Sequence, residues 1–448
     1  MALTQDLGRF VAGLSFEQLP QGAADVARIG LIDCIATMIA GARDPAPQLL
    51  RKALNPAGGE ATLYFTGERS PAPEAAWING TAGHALDYDD VASLRGHPST
   101  VLVPAILAEG EALGASGRAM LAAYVAGYET WAELAWRDPG HHHRKGWHPT
   151  GIFGPIGAAA ACASLRRLDA DCATRALALA ASQSSGTMAN FGTMTKPFHA
   201  GRSAHSGVIS ARLAELGFTA SPDALEHPQG FLSAVSPAGE VDRETPLQRL
   251  GGDWWITKYR LGIKKYPACY CTHRALDAML ELLAGQPLRP DQIERITVSI
   301  SDTHALILRN HEPQTGLAAK FSMEFAMAAA VIARRAGLAE YTDAFVQRPE
   351  VQKLMRRVQV ETNQNYDPEV SGASVYDQVR VDLAGGGTVA SEKVARAKGH
   401  ADRPLAEDEL FEKCRTCLDA GGARIAPEVL FDRLRRLEDL SARELTAV

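Results

Sequence analysis

The sequence predicts a mainly α protein with a second domain of α+β type, on three observations. Apolar residues recur three and four positions apart through roughly the first 250 residues, the spacing of a helix face. β-branched, alternating stretches are confined to the region after Asp253. From Pro404 the helical spacing resumes and runs to the last residues. This places a discontinuous helical domain at 1–257 and 403–448, with an α+β domain inserted at 258–402.

The elements follow in order. Residues 27–40 carry Ile29, Leu31, Ile32, Ile35, Met38 and Ile39 on one side of a helix. Residues 101–113 repeat the pattern, and so do 116–135, where Ser116 is placed to cap the first turn. The alanine-rich stretches 157–165 and 172–181 predict helices packed closely on neighbours, and 204–216 adds another. In the second domain, 293–300, 358–361 and 378–383 read as strands. Residues 384–387 (AGGG) make a hairpin turn into a return strand. A helix is expected over 318–336.

Lys and Arg number 46 and Asp and Glu 52, a net charge of −6, which argues against nucleic acid as a partner. It does not exclude an anionic substrate held in a local basic pocket. Seven irregularly spaced cysteines read as reduced thiols of a cytoplasmic protein. No secretory signal is expected in MALTQDLGRF. The longest uncharged apolar run, 151–165, is interrupted by Pro155 and is too short to span a bilayer. Cys414 and Cys417 fall in a charged helical pattern and read as chance spacing.

Four segments concentrate groups able to move protons or bind anions. The first joins His84, Asp87, Asp89 and Asp90 to His97. A carboxylate beside an imidazole fixes its tautomer and raises its basicity. An Asp/His cluster also suits a divalent ion, but no compact metal-ligand spacing is present, and no metal is expected. The second, 141–151, is a loop of histidines, Arg144 and Lys145, with His148 ahead of a glycine- and alanine-rich helix. The third, read as a loop, brings Lys196, His199 and Arg202 within seven residues, donors suited to a polyanion. The fourth runs from Lys264 and Lys265 through Cys269 and Cys271 to His273 near the domain junction. No G-x-S-x-G, Walker A or G-x-G-x-x-G pattern accompanies a suitable element.

These segments in this order resemble the MmgE/PrpD family. The matching stretches are NGTAGHALDYDD (79–90), GHPST (96–100), GWHPTG (146–151), KPFHAGR (196–202), KKYPACYCTHRALDA (264–278) and AAKFSMEFAMAAA (318–330). The family includes 2-methylcitrate dehydratase, cis-aconitate decarboxylase and iminodisuccinate epimerase. The resemblance implies the MmgE/PrpD fold, an all-helical large domain with a smaller α+β lid domain and the active site between them, in a homodimer without cofactor. Carried over by motif, the catalytic residues are Asp87, His97, His148, Lys196 and Lys264. His199, Arg202, Lys265, Cys269 and His273 are expected to contact substrate. Where the decarboxylase carries a histidine, a tyrosine and a threonine, this chain has Cys269, Phe325 and Val91.

The expected activity is therefore a cofactor-independent lyase or isomerase reaction on a small di- or tricarboxylic acid, begun by removing a proton next to a carboxylate. A dehydratase of the 2-methylcitrate type leads. An epimerase of the iminodisuccinate type is the alternative, followed by a decarboxylase or a non-catalytic binder. His97 is expected to be oriented by Asp87, and Lys264 to line a cleft where its removal leaves the fold intact.

Overall fold

The computed structural model describes residues 3–92, 96–247, 252–370 and 372–447. They separate into two compact units. The first comprises Met1–Ala85, Asp89–Leu261 and Glu407–Val448, the second Leu86–Tyr88 and Gly262–Ala406.

Apart from short 3-10 turns, the first unit begins with α1 (Leu3–Gly13), α2 (Ala23–Gly41) and α3 (Pro45–Leu54). A small hairpin, β1 (Ala61–Leu63) and β2 (Glu68–Ser70), leads to α4 (Ala72–Ala85), α5 (Ser99–Leu113) and α6 (Gly117–Trp136). Next come α7 (His142–Lys145), α8 (Pro149–Leu165), α9 (Ala170–Ala181), α10 (Thr195–Glu215), α11 (Phe231–Val235) and α12 (Trp255–Tyr259). The second unit holds α13 (His273–Gly285), β3 (Ile293–Ser301), α14 (Asp302–Ile307), α15 (Gly316–Ala319), α16 (Met323–Ala333), α17 (Asp343–Val346), α18 (Pro349–Met355), β4 (Val358–Asn363), β5 (Gln378–Leu383) and β6 (Thr388–Ala390). The chain returns to the first unit with α19 (Glu407–Gly421), α20 (Pro427–Arg435) and α21 (Ala442–Thr446).

In the first unit α10 lies against α4, α8 and α9, while α4 also packs on α2 and α5. Small residues make these contacts close. A Cβ built on Gly201 of α10 would lie 2.2 Å from the Trp77 carbonyl oxygen of α4, and one on Gly80 would lie 2.8 Å from the Gly201 Cα. Bulkier residues there would separate the two helices. Ser116 caps α6 by accepting the Ala119 N–H at 3.3 Å.

The second unit is built on one sheet in the order β4-β3-β5-β6. β3 pairs parallel with β4 and antiparallel with β5, and the β5–β6 hairpin turns through 384–387. Ile293, Ile296, Val298 and Ile300 of β3 are fully buried. The parallel pair requires a long crossover, which α14 to α18 provide.

Three elements differ from the sequence expectation. α8 starts at Pro149 and not at 157, because proline at the first helical position has no N–H to lose. α10 starts at Thr195, so KPFHAGR is helix and not loop. The helix expected over 318–336 is broken at 320–322, where the Ser322 hydroxyl accepts the Phe325 N–H at 3.1 Å and starts α16 afresh. No helix among the described residues is long and apolar enough to cross a membrane.

Candidate active site

The first unit gathers four histidines. His84 sits in the last turn of α4, and the chain returns at Asp89 to meet it. The His84 Nδ1 is 2.9 Å from both Asp89 carboxylate oxygens. His97 follows Gly96, whose φ of 99° favours glycine. The His97 Nδ1 lies 3.1 Å from Asp89 Oδ2 and 2.9 Å from the Asp90 carbonyl oxygen. All these partners are acceptors, so both Nδ1 atoms carry the proton and each Nε2 is the basic nitrogen. The Thr150 hydroxyl, at the start of α8, accepts the His97 backbone N–H at 3.1 Å.

His148 precedes α8 and donates its backbone N–H to the Gly186 carbonyl at 3.0 Å. Its Nδ1 is 3.2 Å from the Nδ1 of His199 on α10. Gly186 has φ of 121°, and a Cβ there would lie 3.1 Å from the His199 ring. The His84 ring meets His97 edge-on at 4.5 Å and His148 nearly parallel at 5.8 Å. Lys196, one turn before His199, is buried with its Nζ 5.4 Å from the Phe191 ring, which His148 also contacts.

Burial sets the electrostatics. It pushes His84 down to about 3, against the pull of Asp89, and Lys196 adds to the fall. Burial and then Lys196 hold His148 well below the usual histidine range and His199 at about 4. These imidazoles are therefore neutral proton acceptors at pH 7. Burial would raise the Asp89 carboxyl, but the rings of His84 and His97 outweigh it and keep it ionised. Behind it, burial and then Asp33 push the Asp90 carboxyl well up, while the Lys413 Nζ lies 2.5 Å from Asp33 Oδ1.

His84, Asp89 and His97 have ligand atoms within 4.8 Å of one another, a set able to hold a divalent ion. The separations of 2.9–3.1 Å between ring nitrogens and the carboxylate are those of hydrogen bonds, which account for the arrangement by themselves.

The second unit holds a separate cluster. Lys264 is fully buried and donates to the Asp87 carbonyl at 2.9 Å, with Asp87 Oδ1 at 3.1 Å. Asp87 has φ of 49°, a left-handed conformation that aspartate tolerates better than most residues. Lys320 donates to the carbonyls of Leu86 and Pro267 at 2.5 and 3.0 Å. The Cys271 thiol hydrogen-bonds Cys269 and lowers its pKa against the effect of burial. Phe325 packs edge-on against Tyr341 at 5.1 Å, and the buried Tyr341 hydroxyl has no hydrogen-bond partner among the described residues.

Comparison with known proteins decides the family. The MmgE/PrpD N-terminal domain model matches residues 5–244, and the MmgE/PrpD C-terminal domain model matches residues 266–428. The chain belongs to the MmgE/PrpD family.

Its curated relatives include the human cis-aconitate decarboxylase, 29% identical over 83% of this chain and 78% of that protein. The cis-aconitate decarboxylase of Aspergillus terreus is 25% identical over 98% of this chain and 92% of its own length. A cis-aconitate decarboxylase-like protein of Aspergillus oryzae is 27% identical over 98% and 93%.

Of the motif residues of this MmgE/PrpD member, His97, His148, Lys196 and His199 come together in the first unit, and Asp87, Lys264 and Cys269 in the second. Several details depart from the sequence reading. The carboxylate that orients His97 is Asp89, whereas Asp87 pairs with Lys264. Lys264 is fully buried and ion-paired with Asp87, not exposed along an open cleft, so its removal is expected to cost stability as well as any role in the site. Arg202 lies roughly 240° round α10 from Lys196, where it covers the Trp77 ring at 5.2 Å and bonds His205. Lys265 is exposed. His273 is fully buried, and its Nε2 bonds the Ala268 carbonyl at 3.2 Å. His142, read as part of a loop, starts the short helix α7 and is buried 3.1 Å from Asp138. The sequence reading named His84 and Asp89 in its first cluster but gave neither a site role, and it gave none to Lys320. The five-residue step from His84 to Asp89 across a helix end was the available signal for the first pair.

Proposed function

We propose that the chain is a cofactor-independent lyase or isomerase acting on a small di- or tricarboxylic acid by proton transfer at a carbon beside a carboxylate. The observation that carries this reading is His97, its Nδ1 fixed on Asp89, in the same buried cluster as neutral His148 and the lysine Lys196. A lysine among neutral imidazoles binds an anion and leaves basic nitrogens to take its proton. In this scheme Lys196 holds a carboxylate, His97 removes the α-proton through Nε2, and the imidazolium so formed returns that proton to the departing hydroxide, with neutral His148 beside it as a second acceptor. The net result is an alkene and water. Lys264 and Asp87, an ion pair within the second unit, are proposed as further catalytic residues on the strength of their motifs.

Neutral bases favour a reaction that begins by taking a proton, so dehydration of a 2-methylcitrate-type acid leads. Decarboxylation of cis-aconitate is the second reading, favoured by the activity named for the relatives. There CO2 departs and a proton is delivered to the carbanion left behind. Iminodisuccinate-type epimerisation uses the same bases on two faces of one carbon.

One set of assays separates the three. The purified protein is incubated with 2-methylcitrate, cis-aconitate and iminodisuccinate in D2O, following ultraviolet absorbance, CO2 and deuterium in recovered substrate. We expect absorbance to rise with 2-methylcitrate. CO2 from cis-aconitate would establish the second reading, and deuterium uptake without either product the epimerase. No change with any acid would overturn the proposal.

A further inference from the structure

No motif assigned a role to His84 of the first unit. Its Nδ1–H is committed to Asp89, with both carboxylate oxygens at 2.9 Å, which leaves the lone pair on Nε2. That Nε2 is buried, and no hydrogen-bond partner meets it among the described residues. A buried acceptor left unpaired is costly, so native proteins rarely keep one without a use or a bound guest. The ring stands beside the two candidate proton-transfer groups, edge-on to His97 at 4.5 Å and nearly parallel to His148 at 5.8 Å. His148 also keeps a buried Nε2 without a partner among the described residues, so two open ring nitrogens belong to neighbouring side chains.

We infer that His84 is a further catalytic residue, whose Nε2 contacts the bound polycarboxylate and accepts a proton or a hydrogen bond from it during turnover. Asp89 then serves two imidazoles at once, His84 through both carboxylate oxygens and His97 through Oδ2. Burial, which keeps His84 neutral, supports this use, since only the neutral ring offers the lone pair. The inference rests on the proton-transfer reading above.

His84→Asn separates contact from support. An asparagine amide nitrogen reproduces the Nδ1 donor to Asp89 but leaves nothing at the Nε2 position. If His84 touches substrate, His84→Asn loses about 100-fold or more in kcat, the usual scale for removing a proton-transfer group, with KM within about threefold. If His84 only holds Asp89, His84→Asn stays within about threefold of wild type; that result overturns the inference. His97→Asn, measured alongside, tests the underlying reading: its full activity would sink that reading, whatever His84 does. A wild type inert toward every acid tested would remove both. Should His84→Asn fail to fold, a crystal structure of the wild type with tricarballylate decides. A ligand oxygen within hydrogen-bond distance of Nε2 supports the contact, and an Nε2 facing protein atoms alone excludes it.

Discussion

Asp87 and Asp89 stand two positions apart and do different work. Asp87 is tied to Lys264, while Asp89 fixes two imidazoles and is kept ionised by them. A histidine whose charge is suppressed by burial also makes stability depend on pH. His84 has an ordinary value of 6.5 and falls to about 3 when folded. Between those values the unfolded chain binds a proton at this ring and the folded chain does not. Its contribution is therefore complete above pH 6.5 and declines by about 1.4 kcal/mol per pH unit as pH falls below it. His84→Asn has no ring to protonate. Relative to wild type, the variant should gain roughly 2 kcal/mol in urea unfolding between pH 7 and pH 5. A gap independent of pH would mean that the His84 ring binds a proton as readily in the folded protein as in the unfolded chain. At this scale the sequence displayed the right residue types but not their pairing. Asp87 and Asp89 precede His97 by ten and eight positions, a difference that does not decide between them, and the backbone path, left-handed at Asp87, tells them apart.

Helices position these groups through close contact at small residues. α4 presents His84, and α10 presents Lys196 and His199. The helices touch at Gly80 and Gly201. Gly201→Ala would force a methyl group against the Trp77 carbonyl and the Thr81 side chain, a backbone obstacle that no rotamer change relieves. Such overpacking costs about 1–3 kcal/mol, and a shift of about 1 Å in a catalytic group can cost about 100-fold in rate. We expect Gly201→Ala to stay folded, lose stability in that range, and lose kcat more than tenfold. Full activity with lowered stability would mean that the α4–α10 spacing does not set the site. Gly217→Ala, with no atom near its would-be Cβ but φ of 89°, serves as a strained control away from the contact. Element type was legible wherever an apolar period ran uninterrupted, as in α2, α5 and β5. It failed at the starts of α8 and α10, where Pro149, Pro197 and flanking glycines read as loop, although proline fits a first helical turn.

The discontinuity of the helical part was legible in the return of helical spacing after Pro404, but what binds the returning segment was not. α19 packs on α2, and Lys413 reaches Asp33 with both side chains buried. Lys413 thereby brings a cation to a first-unit interior that holds the carboxylates Asp33, Asp89 and Asp90. Burial raises the Asp33 carboxyl, Lys413 pulls it down, and Asp89 pushes it up again, so this ion pair is coupled to the carboxylate that orients His84 and His97. Lys413→Met keeps most of the side-chain volume and removes the charge. Breaking one side of a buried pair costs about 3–5 kcal/mol, because the remaining charge has no partner. The loss should be largest at pH 8, where Asp33 would otherwise ionise, and smaller at pH 5, where a carboxyl of raised pKa accepts a proton and needs no counter-ion. Adding Asp33→Asn to Lys413→Met removes the stranded carboxylate and should restore much of the stability at pH 8, a coupling read from a double-mutant cycle in urea. Equal losses at both pH values, with no rescue by Asp33→Asn, would mean that α19 is held to α2 by the lysine's methylene packing and not by its charge.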